Sequence, residues 1–283
     1  MDKRYDRNIR FFGQDGQNAL KNSRVTIAGV GGLGTHVAQQ LAYLGVGRIT
    51  LIDNEHLDET NLNRYVLAFQ HDLDTQPLKV DIAESRIALI DPSIKVQKVA
   101  ATALSAQAFD LLKQSDWVFG CFDRDGPRFV INELCAAYSI PYTDLATEII
   151  PGTPVLYGGR VCTSFDGNGC LACMDVLDME EVRADLGGAS VVNERRALYG
   201  VDNTDLGGSG PSVVSLNGVI ASYAVTEFML GATGIRPPVK LAEYRGHEGK
   251  IFTNSNPGDC DCYYCKELRG SGDNANIDRY INP

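Results

Sequence analysis

Residues 25–34 read Val25-Thr26-Ile27-Ala28-Gly29-Val30-Gly31-Gly32-Leu33-Gly34. The run to Val30 is short, apolar and rich in β-branched residues, which predicts a buried strand. Residues 34–44 then place Ala38, Leu41, Ala42 and Leu44 at helical spacing. Gly29, Gly31 and Gly34 fit G-x-G-x-x-G between that strand and that helix, with Gly32 inside the turn. In this motif the first glycine makes the tight turn, the second lets backbone approach a phosphate, and the third brings helix and strand close. The helix then offers unpaired N–H groups to an anion. Asp53 ends the next apolar run, nineteen residues after Gly34, where a carboxylate can accept hydrogen bonds from ribose hydroxyls. The turn therefore predicts a nucleotide, without choosing between ATP and NAD.

Working outward, strands and helices alternate. Strands are predicted at 48–53, 97–102, 116–121 and 141–146, and helices at 78–90, 105–114 and 127–138. This alternation predicts an α/β fold, Rossmann-like, with a doubly wound, mostly parallel sheet. The second half differs. Residues 153–163 read as one or two strands with a turn at Gly158-Gly159. Residues 174–210, rich in charge and glycine, read as a crossover loop with local helix. Residues 212–230 read as a buried helix, 239–244 and 250–253 as late strands, and 270–283 as a frayed polar tail. The chain is expected to be one domain over 1–283, with a nucleotide-binding half at 1–150 and a C-terminal part at 211–269.

Three charged residues stand where such a sheet opens its crevice. Arg64 follows Asp53 in Asn61-Leu62-Asn63-Arg64, Lys79 opens the helix after Pro77, and Asp123 follows the fourth strand. A triphosphate needs cations and a carboxylate to hold magnesium. Arg64 and Lys79 suit the first task and Asp123 the second. A nicotinamide-dependent oxidoreductase leaves both cations without work, and a non-catalytic scaffold would not need the set.

Composition narrows the field. The chain has 283 residues, 44% hydrophobic and 22% charged, with a net charge of −10. That acidity argues against general nucleic-acid binding. No apolar run approaches the about 18 residues of a membrane span, and the charged N-terminus is unlike a secretory signal. The expectation is a cytoplasmic protein, so its eight cysteines are read as metal ligands or core residues rather than disulfides. Cys170-Leu171-Ala172-Cys173 and Cys262-Tyr263-Tyr264-Cys265 form two C-x-x-C pairs 89 residues apart. Together they supply the four thiolates of a closed zinc site that would clip the C-terminal segment to the body. Cys260 has the wrong spacing to Cys262 for a knuckle, and Cys121, Cys135 and Cys162 read as packing residues. The four histidines, His36, His56, His71 and His247, form no pair.

As an ordered set, Arg4-Tyr5-x-Arg7, the glycine turn, Asp53, Asn61-Leu62-Asn63-Arg64, Pro77-x-Lys79 and Asp123 resemble the ThiF/MoeB/HesA family, the bacterial relatives of ubiquitin-activating enzymes. The resemblance implies adenylation, with Mg-ATP, of the C-terminal glycine of a ubiquitin-like or sulfur-carrier protein ending in Gly-Gly. It implies that Asp53 holds the ribose, Arg64 and Lys79 the phosphates and Asp123 the magnesium, with Asn61 beside the phosphates. Arg7 would reach across a homodimer into the partner's site. The zinc site is also implied. Residues 210–218 resemble the family's stretch after the crossover loop. Asp123-Arg124 stands where the family often has Asp-Asn, and Asn8 where a glutamine is usual. In relatives that transfer through a cysteine, that residue lies in the crossover region; 174–210 contain none. Activation of another carboxylate, a peptide C-terminus or a modified tRNA base, is the alternative within the family.

Overall fold

The computed structural model describes residues 3–187, 211–256 and 261–281. Its strands are β1 (Arg24–Ala28), β2 (Arg48–Ile52), β3 (Lys95–Val99), β4 (Trp117–Gly120), β5 (Tyr142–Ile150), β6 (Leu156–Ser164), β7 (Leu241–Arg245) and β8 (Lys250–Asn254). They form one sheet in the order β3-β2-β1-β4-β5-β6-β7-β8. Neighbours from β3 to β5 pair in parallel, and those from β5 to β8 antiparallel. The order reverses between β1 and β4, which in an open α/β sheet is where a crevice forms beyond the strand ends.

Side chains alternate across the strands and feed two cores. Trp117 and Phe119 join one with α1 (Asp6–Asn22), α2 (Gly32–Leu44), α3 (Lys79–Ile90) and α7 (Val214–Ala232). Val118 and Tyr142 join the other with α4 (Ala106–Leu112) and α5 (Asp125–Ala137). Local chemistry fixes the helix ends. Ser105 caps α4 by accepting the Ala108 N–H at 3.2 Å. Asp91 leaves α3 in an extended conformation because Pro92 disfavours helix before it.

Three features differ from the sequence reading. Gly158 and Gly159 make no turn; they lie inside β6. A Cβ on Gly158 would stand 2.1 Å from the Tyr244 carbonyl oxygen, and one on Gly159 2.5 Å from that of Ala146. Close backbone approach is what requires glycine there. The segment from Gly270 to Ile281 is not frayed. Ile277 is buried, Arg279 pairs with Glu133, Lys113 with Asp278 at 2.8 Å, and Tyr138 bonds Asp273. The amphipathic α1 was not read from the sequence, because Gly13 kinks it and interrupts the periodicity. Of the expected crossover loop, 174–210, α6 (Met179–Leu186) lies among the described residues, while 188–210 lie outside them, as does Cys260.

Helix α7 is the one described helix long and apolar enough to cross a membrane by length and composition. It packs instead on α2 and the sheet, with Leu216, Ile220, Ala221, Ala224 and Phe228 buried. It also holds the buried Glu227, paired with Arg236 at 2.6 Å.

Candidate active site and thiol cluster

The glycine turn sits at the switch between β1 and β4. Gly29 has φ +91°, a region that favours glycine, and a Cβ there would stand 2.6 Å from the Cys121 carbonyl oxygen. A Cβ on Gly34 would stand 2.0 Å from the Gly29 carbonyl oxygen. Gly31 faces open space, the surface a phosphate would approach. α2 starts at Gly32 with no side-chain cap, so its first N–H groups have no side-chain acceptor.

Asp53 is joined directly to this turn. Its Oδ2 accepts the Val30 N–H at 2.7 Å and its Oδ1 the Glu55 N–H at 2.8 Å. Each oxygen keeps a lone pair for a further donor such as a sugar hydroxyl. Burial raises the Asp53 pKa, against the pull of the two N–H bonds and Lys79.

Arg64 reaches the start of α2. Its methylenes stand 3.4 Å from where a Cβ on Gly32 would be, and Nη1 donates to the Thr60 carbonyl at 2.6 Å. Asn61 shapes the turn beneath it: Oδ1 accepts the Asp58 N–H at 3.1 Å, and its carbonyl accepts the Arg64 N–H at 2.9 Å. Lys79 is buried and its ammonium is paired with Glu55, so it stands beside the end of β2 with its charge already matched. Asp123 is exposed two residues beyond Cys121, with no hydrogen bond or ion pair to a described residue. A free carboxylate at this strand end fits a magnesium ligand. Arg7 is exposed on the first turn of α1 and is not brought to the other candidates within the chain.

Two sets of residues escaped the sequence reading. Asn217 of α7 is 1% exposed. Its Oδ1 accepts from Thr147 at 3.1 Å, and its Nδ2 donates to Ser212 at 3.1 Å and borders Gly32. The second set is Arg128 and Asp144, charged and buried, with the half-buried Arg160, behind the stretch that bears Asp123. An amide in an apolar helix and a carboxylate in an apolar strand were the available signals.

The four knuckle cysteines meet. Cys170 and Cys173 follow β6, while Cys262 precedes and Cys265 lies within α8 (Tyr263–Lys266). All four sulfurs lie within 4.8 Å of one another. The Cys170–Cys262, Cys170–Cys173 and Cys173–Cys265 separations are 3.7, 3.6 and 3.6 Å. Four sulfurs about 2.3 Å from a tetrahedral zinc stand about 3.8 Å apart, so the cluster fits that ion. Tyr264, between the second pair, packs edge-on against Phe129 at 5.6 Å, which holds the segment to α5. Burial pushes the thiols of Cys121, Cys135 and Cys162 well above their ordinary range, which makes them poor nucleophiles at neutral pH.

A sequence model of the ThiF family matches residues 5–267. The chain belongs to the ThiF family. The molybdopterin-synthase adenylyltransferase of Escherichia coli strain K12 is 35% identical over 178 residues, 62% of this chain and 68% of that protein. The ThiS sulfur-carrier adenylyltransferase of the same strain is 32% identical over 175 residues, 60% of this chain and 66% of that protein. The SAMP-activating enzyme E1 of Haloferax volcanii is 28% identical over 173 residues, spanning 61% of its length. The chain thus spans about two thirds of the length of these relatives. Among solved structures, E. coli MccB with MccA-N7isoASN superposes with a TM-score of 0.68 over 94% of this chain and 74% of that one, at 21% identity. That likeness is one of fold.

Proposed function

We propose that this ThiF-family chain is an adenylyltransferase that uses Mg-ATP to activate the C-terminal glycine carboxylate of a ubiquitin-like or sulfur-carrier protein. One observation carries the reading. At the β1–β4 switch, Asp53 is bonded to the glycine turn while Arg64 lies against Gly32, so a ribose acceptor and a phosphate cation flank one helix N-terminus in a family whose relatives are named adenylyltransferases.

The carrier carboxylate forms a bond to the α-phosphorus of ATP, the α–β bridging P–O bond breaks, and pyrophosphate leaves. No base is required, because a terminal carboxyl with a pKa of about 3.5 is ionised at neutral pH. Asp53 orients the ribose, the α2 N-terminus and Arg64 hold phosphate oxygens, and Lys79 adds positive charge once shared between Glu55 and the nucleotide. Asp123 would hold magnesium, which when bound neutralises phosphate charge. Catalysis by these residues is positioning and charge stabilisation. Arg7, remote within the chain, supplies its charge to the partner's site in a homodimer. The four thiolates hold a structural zinc, and the protein works in the cytoplasm.

ATP–pyrophosphate exchange, stimulated by a Gly-Gly-ending carrier and abolished when its last glycine is removed, tests the reading. Exchange stimulated instead by a short peptide would favour the peptide-activating alternative, and NAD binding without ATP binding would defeat the proposal.

A further inference from the structure

Behind the stretch that bears Asp123 lies a buried set of charges that the reaction above does not use. Asp144 on β5 is fully buried. Its Oδ2 accepts Arg160 Nη1 at 2.5 Å and lies 3.4 Å from Arg128 Nη1. The other terminal nitrogen of Arg128 donates to the carbonyl of Phe122, the residue before Asp123. Arg128 Nε stands 3.7 Å from Asp125 Oδ1. The other terminal nitrogen of Arg160 donates to the Val176 carbonyl at 2.9 Å, and Asp125 Oδ2 accepts the Asp178 N–H at 2.7 Å. Asp185 closes the ring by accepting the Gly126 N–H at 3.0 Å. A Cβ on Gly126 would stand 2.5 Å from that of Asp185, so no other side chain fits between them.

Arg128, Arg160, Asp144 and Asp125 balance in charge, two of each sign. Apolar residues of similar volume would hold the sheet as well or better. What the charged set provides is donors directed at two backbone segments, 122–126 and 176–178, from one shared carboxylate. Such a network, anchored on the buried Asp144 and Arg128, fixes relative position through charge-assisted bonds even though Arg128 Nε makes no hydrogen bond to a described residue.

We infer that Asp144, Arg128 and Arg160, with Asp125 and Asp185, form a positioning device that sets where Asp123 stands and ties that position to the 176–187 segment. Asp144 and Asp185 are positioning residues. This rests on the reading of Asp123 as the magnesium ligand. A partner protein that shifts 176–187 would thereby alter the metal position without touching it.

The test uses the full chain, ATP and Mn2+, with no carrier. The readout is the gain in ATP affinity on replacing EDTA by Mn2+, measured by calorimetry. Asp185→Ala is expected to shrink that gain about tenfold, the low end of what losing a support behind a metal ligand costs, with ATP affinity in EDTA unchanged. Asp144→Asn should do the same; if it fails to fold, Asp185→Ala carries the test. Asp123→Asn should abolish the gain. If Asp123→Asn abolishes it while Asp185→Ala and any folded Asp144→Asn keep it, the positioning device is overturned and the magnesium reading stands. An Asp123→Asn variant with the wild-type gain overturns both. Equal loss of affinity in EDTA and in Mn2+ would mean general distortion and overturns the device.

Discussion

The amide nitrogen of Asn217 lies 2.5 Å from where a Cβ on Gly32 would stand. Helix α7, late in the chain, therefore closes on the start of α2 with no room for a methyl group. Gly32→Ala is expected to weaken ATP binding at least tenfold by displacing Asn217 and Arg64. The double variant with Asn217→Ala should recover part of the loss, because two changes at one contact are not additive. Calorimetric ATP binding checks both, and wild-type affinity in Gly32→Ala would show that the turn does not hold the nucleotide.

Arg64→Ala should weaken ATP binding by about 1.5–3 kcal/mol, the range for hydrogen bonds to charged groups. AMP binding should change much less if Arg64 serves the outer phosphates. Equal losses for the two nucleotides would place Arg64 elsewhere.

Asp123→Ala should abolish pyrophosphate exchange with the fold intact, since the side chain is exposed and holds no described partner. Circular dichroism guards the second half of that statement. Normal exchange would remove magnesium from this position.

The N-terminal turn gives a pH prediction. Burial works to raise the pKa of Asp91, but hydrogen bonds from the Tyr5 hydroxyl and Ser93 and the charge of Arg4 outweigh it and hold the carboxyl below its ordinary value. A carboxylate depressed in the folded state contributes stability above its unfolded pKa of about 3.9, lost as pH falls through the lower folded value. Tyr5→Phe should therefore destabilise by about 1–3 kcal/mol at pH 7 and by much less near pH 2. Urea unfolding at both pH values decides it; an equal effect at both would mean that packing, not the bond to Asp91, is what Tyr5 contributes.

Purified protein should contain about one zinc per chain, as four thiolates make one closed site. Cys170→Ser should release it and lower the melting temperature. A metal-free preparation of undiminished stability would reduce the cluster to four neighbouring thiols.

The parallel half was legible because its signals are local. Strand and helix periods change within a few residues, and Gly29, Gly31 and Gly34 mark their own turn. The two thiol pairs were legible through spacing alone. What was misread depends on distant neighbours. Gly158-Gly159 looks like a turn until Tyr244 and Ala146 are laid beside it. Asp273, Asp278 and Arg279 look solvated until Tyr138, Lys113 and Glu133 are in place. Thr147 and Gly32, which place Asn217 at the site, and Arg128 and Arg160, which pair with Asp144, all lie more than ten positions away, beyond any short window along the chain.

The thiol cluster also has a consequence in time. Its two halves are separated in sequence by α6, α7 and the last two strands of the sheet, β7 and β8. During synthesis the first knuckle emerges with two sulfurs, and the other two follow only after β8 has been made. A site that needs all four thiolates can therefore be completed only once the strands of the antiparallel half have been synthesised.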